Sequence, residues 1–232
     1  MQRECLLFDF FGTLVEYQQD RSRISLPETT AYLQSISPAI ERDGGHRVFE
    51  QAFKAVESLA LVEGREFLMD EVGVEVFSLL SLEPGPGQVG QLLAIYMREW
   101  CAGIVPVTGA AGLLRRLSAN YRLGLISNTH DADMVRRLLH SFEMHDYFAS
   151  IVLSADVGIP KPDRRIFIEA MQALETEPQQ CTYIGDSYEH DYVGAARVGM
   201  ACYLIGAHAR VPRQCQLRSI LDLPIYFQTG KG

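Results

Sequence analysis

CLLFDFFGTLV, from Cys5 to Val15, opens with four apolar residues and sets a single carboxylate, Asp9, ahead of a Gly-Thr pair. A short unbroken apolar run of this kind reads as a strand buried on both faces of a parallel sheet. Four later stretches share the form: Arg122–Ser127 (RLGLIS), Ser150–Leu153 (SIVL), Cys181–Gly185 (CTYIG) and Ala201–Ile205 (ACYLI). Segments with helical spacing alternate with them, at Ala110–Ala119, Asp131–Phe142, Asp163–Leu174 and Glu189–Val198. This alternation predicts an α/β fold, a doubly wound parallel sheet covered by helices on both faces.

Between the first strand and the rest the pattern changes. Val48–Leu61 sets Phe49, Ala52, Phe53, Val56 and Leu59 on one side of a helix. Asp70–Leu80 and Val89–Trp100 also read as helices, parted by the breaker PGPG at 84–87. Two domains are expected: an α/β core from residues 1–15 and 105–232, and a helical domain inserted at 16–104, with Pro106 near the re-entry point. The stretch after Gly206 carries little signal.

A chain of 232 residues with 47% apolar composition can bury a core of this size. Its net charge of -8 and the lack of any basic block argue against nucleic acid or an anionic membrane surface as partner. Lysine occurs only at 54, 161 and 231. The five cysteines, at 5, 101, 181, 202 and 215, show no zinc-like spacing and read as reduced thiols of a cytoplasmic protein. No stretch approaches the length of a membrane span, and the first residues read as a strand rather than a signal peptide.

Ligands of an open parallel sheet bind beyond the carboxyl ends of its strands. Those ends carry Asp9 and Thr13, then Ser127 and Asn128, then Lys161 in GIPKPD, then Asp186 and Asp191 in GDSYEHD. A strand-end Asp often does no more than cap the next helix. Coincidence is a poor account of all four stretches in this order. Three carboxylates at close quarters repel one another, and one lysine does not offset them. A hard cation such as Mg²⁺ does, taking carboxylate and carbonyl oxygens.

These four stretches resemble the motifs of the haloacid dehalogenase-like hydrolase superfamily, over residues 1–15 and 105–206. The resemblance implies a Rossmann-like core with a helical cap, inserted after the first motif, that chooses the substrate. It implies that Asp9 is a nucleophile forming a covalent aspartyl intermediate. Thr13 would steady its loop. Ser127 and Asn128 would bind a phosphoryl or carboxylate oxygen, and Lys161 would offset charge on nucleophile and substrate. Asp9, Asp186, Asp191 and the carbonyl of Phe11 would hold Mg²⁺. Arg42 and Arg23, near the start of the cap, are candidates for gripping a substrate anion. The expected partner is a small anionic, phosphorylated molecule, and the protein is expected as a monomer or homodimer.

Phe11 departs from the pattern. Phosphatases of this family usually have a second aspartate there, which protonates the leaving oxygen and later activates water; phenylalanine does neither. Three hydrolytic readings compete. A phosphatase would act on good leaving groups or borrow an acid. A 2-haloacid dehalogenase releases halide, which needs no proton. A phosphonatase would use a cap lysine, and only Lys54 is available. Asp186 and Asp191 together follow the phosphatase form of the last motif and favour phosphoryl chemistry with Mg²⁺. A non-catalytic binding homologue is the remaining alternative, opposed by the survival of every other motif residue. His130 reads equally as facing the site or as lying in the first turn of the next helix, His190 reads as a solvated loop residue, and Tyr96 and Trp100 read as core packing.

Overall fold

The computed structural model describes residues 4–18, 24–41 and 44–223. Cys5–Phe8 forms β1, and all four of its side chains are buried. Beyond Asp9 the chain turns sharply. The amides of Thr13, Leu14 and Val15 all point at the Phe10 carbonyl, and Gly12 takes φ +77°. Val15–Tyr17 then forms β2.

The chain divides into two compact units, Met1–Glu16 with Val105–Gly232, and Tyr17–Ile104. The second contains α1 (Pro27–Ile36), α2 (Gly44–Glu63), α3 (Met69–Leu79) and α4 (Gln88–Cys101). No side chain of its own caps the start of α1. Glu99 of α4 fills that role, accepting from the N–H groups of Glu28 and Thr29 at 2.7 and 2.9 Å and from the Thr29 hydroxyl at 2.6 Å. The carboxylate thereby satisfies orphan donors where the helix dipole is positive. Along α2 the buried stripe is Phe49, Ala52, Val56 and Ala60. Leu59, expected on this side, is 55% exposed; it stands about 100° around the helix from Ala60. Phe49 stacks on Tyr96 at 3.9 Å, so this tyrosine is core packing.

Ile104–Pro106 forms β3 and pairs with β2 in a two-stranded sheet. There follow α5 (Ala110–Ser118), β4 (Arg122–Ser127), α6 (Ala132–Ser141), β5 (Phe148–Leu153), α7 (Ser154–Val157) and α8 (Arg164–Ala173). The chain continues through β6 (Cys181–Gly185), α9 (Gly194–Arg197), β7 (Ala201–Ile205) and β8 (Gln216–Leu217). Six strands make one sheet in the order β5-β4-β1-β6-β7-β8, every neighbour parallel. The chain therefore winds outward from β1 on one side, returns, and winds outward on the other. This is the doubly wound α/β architecture, and the reversal falls beside β1, where such sheets bind ligands. On one face Leu7, Ile126 and Tyr183 pack with Phe167 of α8 and Ala195 of α9.

Local departures from the expected pattern have physical causes. The third core strand begins at Phe148 rather than Ser150, because the register slips between Leu123 and Gly124 and leaves Ala149 bulged and exposed. Glu189–Val198 is not one α-helix. A π-helical turn, Tyr188–Val193, precedes α9. There the amides of both Asp191 and Tyr192 bond the Ser187 carbonyl, which widens the turn.

Leu7 is fully buried at the centre of the sheet. Leu7→Ala is expected to cost about 2–5 kcal/mol in denaturant unfolding. Leu61→Ala, at a residue 79% exposed, should change stability by less than about 0.5 kcal/mol.

Candidate active site

β1 is hydrogen-bonded to β4 on one side and β6 on the other, so the residues that follow these strands meet at one edge. Asp9 follows β1, its N–H bonded to the Ile184 carbonyl of β6 at 2.9 Å. One carboxylate oxygen of each of Asp9, Asp186 and Asp191 lies within 4.8 Å of those of the other two. Asp9 and Asp191 are buried, while solvent reaches Asp186.

Two glycines make this approach possible. A Cβ on Gly12 would fall 2.0 Å from Asp186 Oδ2, and one on Gly185 would fall 2.3 Å from Asp191 Cγ. The Gly before Asp186 and the Gly before Thr13 are thus spaces that the carboxylates occupy.

The Lys161 ammonium, itself buried, sits among these groups. Its Nζ donates to Asp9 Oδ1 at 2.6 Å and to Asp191 Oδ1 at 2.7 Å. Asn128 holds the lysine by its backbone: the Asn128 Nδ2 donates to the Lys161 carbonyl at 3.0 Å, and its Oδ1 accepts the Lys161 N–H at 2.7 Å. Thr13 Oγ1 donates to Asp9 Oδ2 at 3.3 Å. Ser127 is fully buried at the end of β4, its hydroxyl donating to the Asn128 carbonyl at 3.4 Å. The Ser187 N–H donates to Asp191 Oδ2 at 2.9 Å. Phe11 packs edge-on against Phe10, with ring centroids 4.9 Å apart.

The charges do not balance: three carboxylates face one ammonium. Burial raises the Asp9 carboxyl to about 7; Lys161 opposes the rise and Asp191 adds to it. Asp186 is also raised, by lost hydration first and by Asp191 second. Lys161 is raised too; burial works against its charge, but the two adjoining aspartates outweigh it. The lysine therefore stays cationic, and the excess negative charge resides on the aspartates. An all-oxygen donor set with surplus negative charge fits a hard divalent cation.

The structure thus brings together Asp9, Thr13, Ser127, Asn128, Lys161, Asp186 and Asp191. Lys54 is solvated on α2, paired with Glu50 at 2.6 Å and 69% exposed. His190 is exposed and His130 half-buried. Arg42 and Arg23 fall outside the described residues. One residue escaped the sequence reading. The Tyr183 hydroxyl enters the same cluster from the middle of β6, 3.0 Å from Asp191 Oδ1. Its ring satisfies the apolar pattern of the strand, so no periodicity marks it.

The family model for haloacid dehalogenase-like hydrolases matches residues 4–199. The chain belongs to this family. Within it, the chain is 32% identical over 158 residues to pyrimidine 5'-nucleotidase YjjG of Escherichia coli (strain K12). That match covers 67% of this chain and 64% of the relative, less than two-thirds of the relative's length. Two solved structures show the same fold. A HAD phosphatase from Thermococcus onnurineus superposes with a TM-score of 0.63 at 22% identity, over 95% of each chain. A 2-haloacid dehalogenase from Pseudomonas syringae pv. Tomato DC3000 does so with a TM-score of 0.70 at 18% identity, over 94% of each chain. One family architecture thus carries both chemistries. Among the described residues no helix is long and apolar enough to cross a membrane.

Lys161→Met leaves buried carboxylates without their cation. The expected loss is about 3–5 kcal/mol in metal-free denaturant unfolding. Millimolar Mg²⁺ should recover more of that loss in the variant than it adds to the unsubstituted protein.

Proposed function

We propose that the protein is an Mg²⁺-dependent phosphatase that works through a covalent aspartyl intermediate at Asp9 and prefers phosphorylated small molecules with good leaving groups. The observation that carries this reading is the cluster of Asp9, Asp186 and Asp191 around the single ammonium of Lys161. Asp9, Asp186 and the Phe11 carbonyl would hold the ion, with Asp191 reaching it directly or through water. When bound, Mg²⁺ neutralises charge on the phosphoryl group. The relative named as a pyrimidine 5'-nucleotidase supports phosphoryl transfer over attack on carbon.

The chain's own groups then have distinct tasks. An Asp9 carboxylate oxygen attacks phosphorus, the bond to the leaving oxygen breaks, and the leaving group departs with its electron pair. Water then attacks the acyl phosphate, returning the carboxylate and releasing phosphate. Lys161 offsets charge on both partners. Ser127 binds a phosphoryl oxygen, and Thr13 steadies the nucleophile loop. Asn128 contributes chiefly by fixing the backbone of Lys161. We assign substrate choice to the helical unit, as the family's inserted cap.

Phe11 supplies no proton. A carboxylate leaving group, whose conjugate acid has a pKa near 4, departs without one; a sugar alkoxide does not. Phosphate release should therefore be followed from acetyl phosphate and glucose 6-phosphate, with Mg²⁺ and with EDTA. Mg²⁺-dependent release from acetyl phosphate, absent in Asp9→Asn, is expected, with the sugar phosphate slower by about 100-fold or more. Phe11→Asp should raise sugar phosphate hydrolysis by at least about tenfold. No release from either substrate overturns the reading and favours a 2-haloacid or a phosphonate, with the aromatic Phe11 pointing first to the haloacid.

Binding of Mg²⁺ requires the ionised form of Asp9, whose carboxyl is held up near 7. Protons therefore compete with the ion as pH falls. Calorimetric titration between pH 7.5 and 5.5 should show the Kd weakening by about tenfold per pH unit below 7.

A further inference from the structure

Tyr183 looks like a core residue. It is fully buried, and its ring meets that of Phe167 edge-on at 5.4 Å. Its hydroxyl, however, lies 3.0 Å from Lys161 Nζ, 3.0 Å from Asp191 Oδ1 and 3.2 Å from the Ile126 carbonyl. Lys161 Nζ faces four acceptors: Asp9 and Asp191 at 2.6 and 2.7 Å, the Tyr183 oxygen at 3.0 Å and the Ile126 carbonyl at 3.1 Å.

An ammonium has three protons and a phenol has one to give and a lone pair to accept with. The lysine's three protons go to the two carboxylates and the phenol oxygen. The phenol's proton faces two acceptors, the Asp191 carboxylate at 3.0 Å and the Ile126 carbonyl at 3.2 Å. Every donor of the buried lysine–tyrosine pair then has an acceptor, which a polar network in the interior needs in order to be stabilising.

We propose that Tyr183 is a positioning residue, whose hydroxyl keeps the Lys161 ammonium in place when Asp9 is drawn into a bond with the substrate. The proposal rests on the phosphatase reading for its catalytic consequence. In the resting site Asp9 and Asp191 both anchor the ammonium. Once an Asp9 oxygen bonds to phosphorus, that carboxylate loses its negative charge and holds the lysine less firmly. Asp191, Tyr183 and the Ile126 carbonyl remain as anchors. Without the phenol, the lysine's third proton has only the Ile126 carbonyl to reach, at the end of the strand carrying Ser127. The ammonium is then held by one anchor fewer. The tyrosine itself touches no reacting atom in this scheme.

Tyr183→Phe keeps the ring and its contact with Phe167, and it removes only the hydroxyl. The first measurement needs no turnover. The chain has three lysines, so the ammonium group of Lys161 can be resolved by nuclear magnetic resonance in protein labelled with ¹⁵N-lysine. In metal-free protein, exchange of its protons with water should accelerate by about tenfold or more in the variant. The second measurement is kinetic. With acetyl phosphate, kcat should fall by about 10- to 100-fold while KM changes by less than about threefold. Placing 4-aminophenylalanine at position 183, which restores a donor and acceptor on the same ring, should recover most of both losses. If exchange at Lys161 is unchanged in Tyr183→Phe, the proposal is overturned. Faster exchange with kcat unaltered overturns it equally, since the hold on the lysine would then not serve the reaction. If the unsubstituted protein releases no phosphate, the phosphatase reading fails, and the exchange rate still decides whether the hydroxyl anchors Lys161.

Discussion

The site is organised around one buried ammonium facing more negative charge than it can neutralise. Lys161 lies within hydrogen-bonding distance of Asp9 and Asp191, with Asp186 close by. Three carboxylates so close would separate in water; here strand pairing holds them together. β1 lies between β4 and β6, so the loops after all three strands have no other place to go. Gly12 and Gly185 leave the room, and the π-helical turn after Ser187 swings Asp191 inward. Packing energy of the sheet thus sustains an electrostatic arrangement that is unfavourable by itself. A binding site for a cation depends on that opposition.

Much of this was legible in the sequence, for a physical reason. A parallel strand buried on both faces must be apolar throughout, so CLLF, RLGLIS and CTYIG stand out, and a polar residue immediately after each is conspicuous. Features set by contacts between distant segments were not legible. The bulge at Ala149 depends on the register against β4. The buried face of α2 runs to Ala60 instead of Leu59, a choice of one residue that helical spacing leaves open. The amide of Asn128 also bonds the backbone of a residue 33 positions away, a pairing that no local pattern marks. Tyr183 is hidden for the opposite reason: its ring obeys the apolar pattern and only its last atom departs from it.

Phe11 shows where fold stops and chemistry begins. The same architecture is found in a solved phosphatase and a solved dehalogenase, and fold alone does not choose between reactions. What chooses is the set of groups on the loops. This chain keeps the acidic pair Asp186 and Asp191 and lacks a carboxylate at position 11. Under the function proposed above, the acidic pair serves phosphoryl transfer, and the absence of a carboxylate at position 11 restricts which bonds the site can break.

The central place of β1 also bears on how the molecule is made. Cys5 pairs with Arg122 on one side and with Cys181 on the other. β1, the earliest of these six strands in the chain, therefore stays incompletely paired until β6 has emerged. At about 5–20 residues per second, that wait lasts on the order of ten to thirty-five seconds, during which an apolar edge is open to the wrong partner. Asp9 sits at the end of that strand, so in the newborn chain its cluster with Asp186 and Asp191 cannot form until the second half is in place.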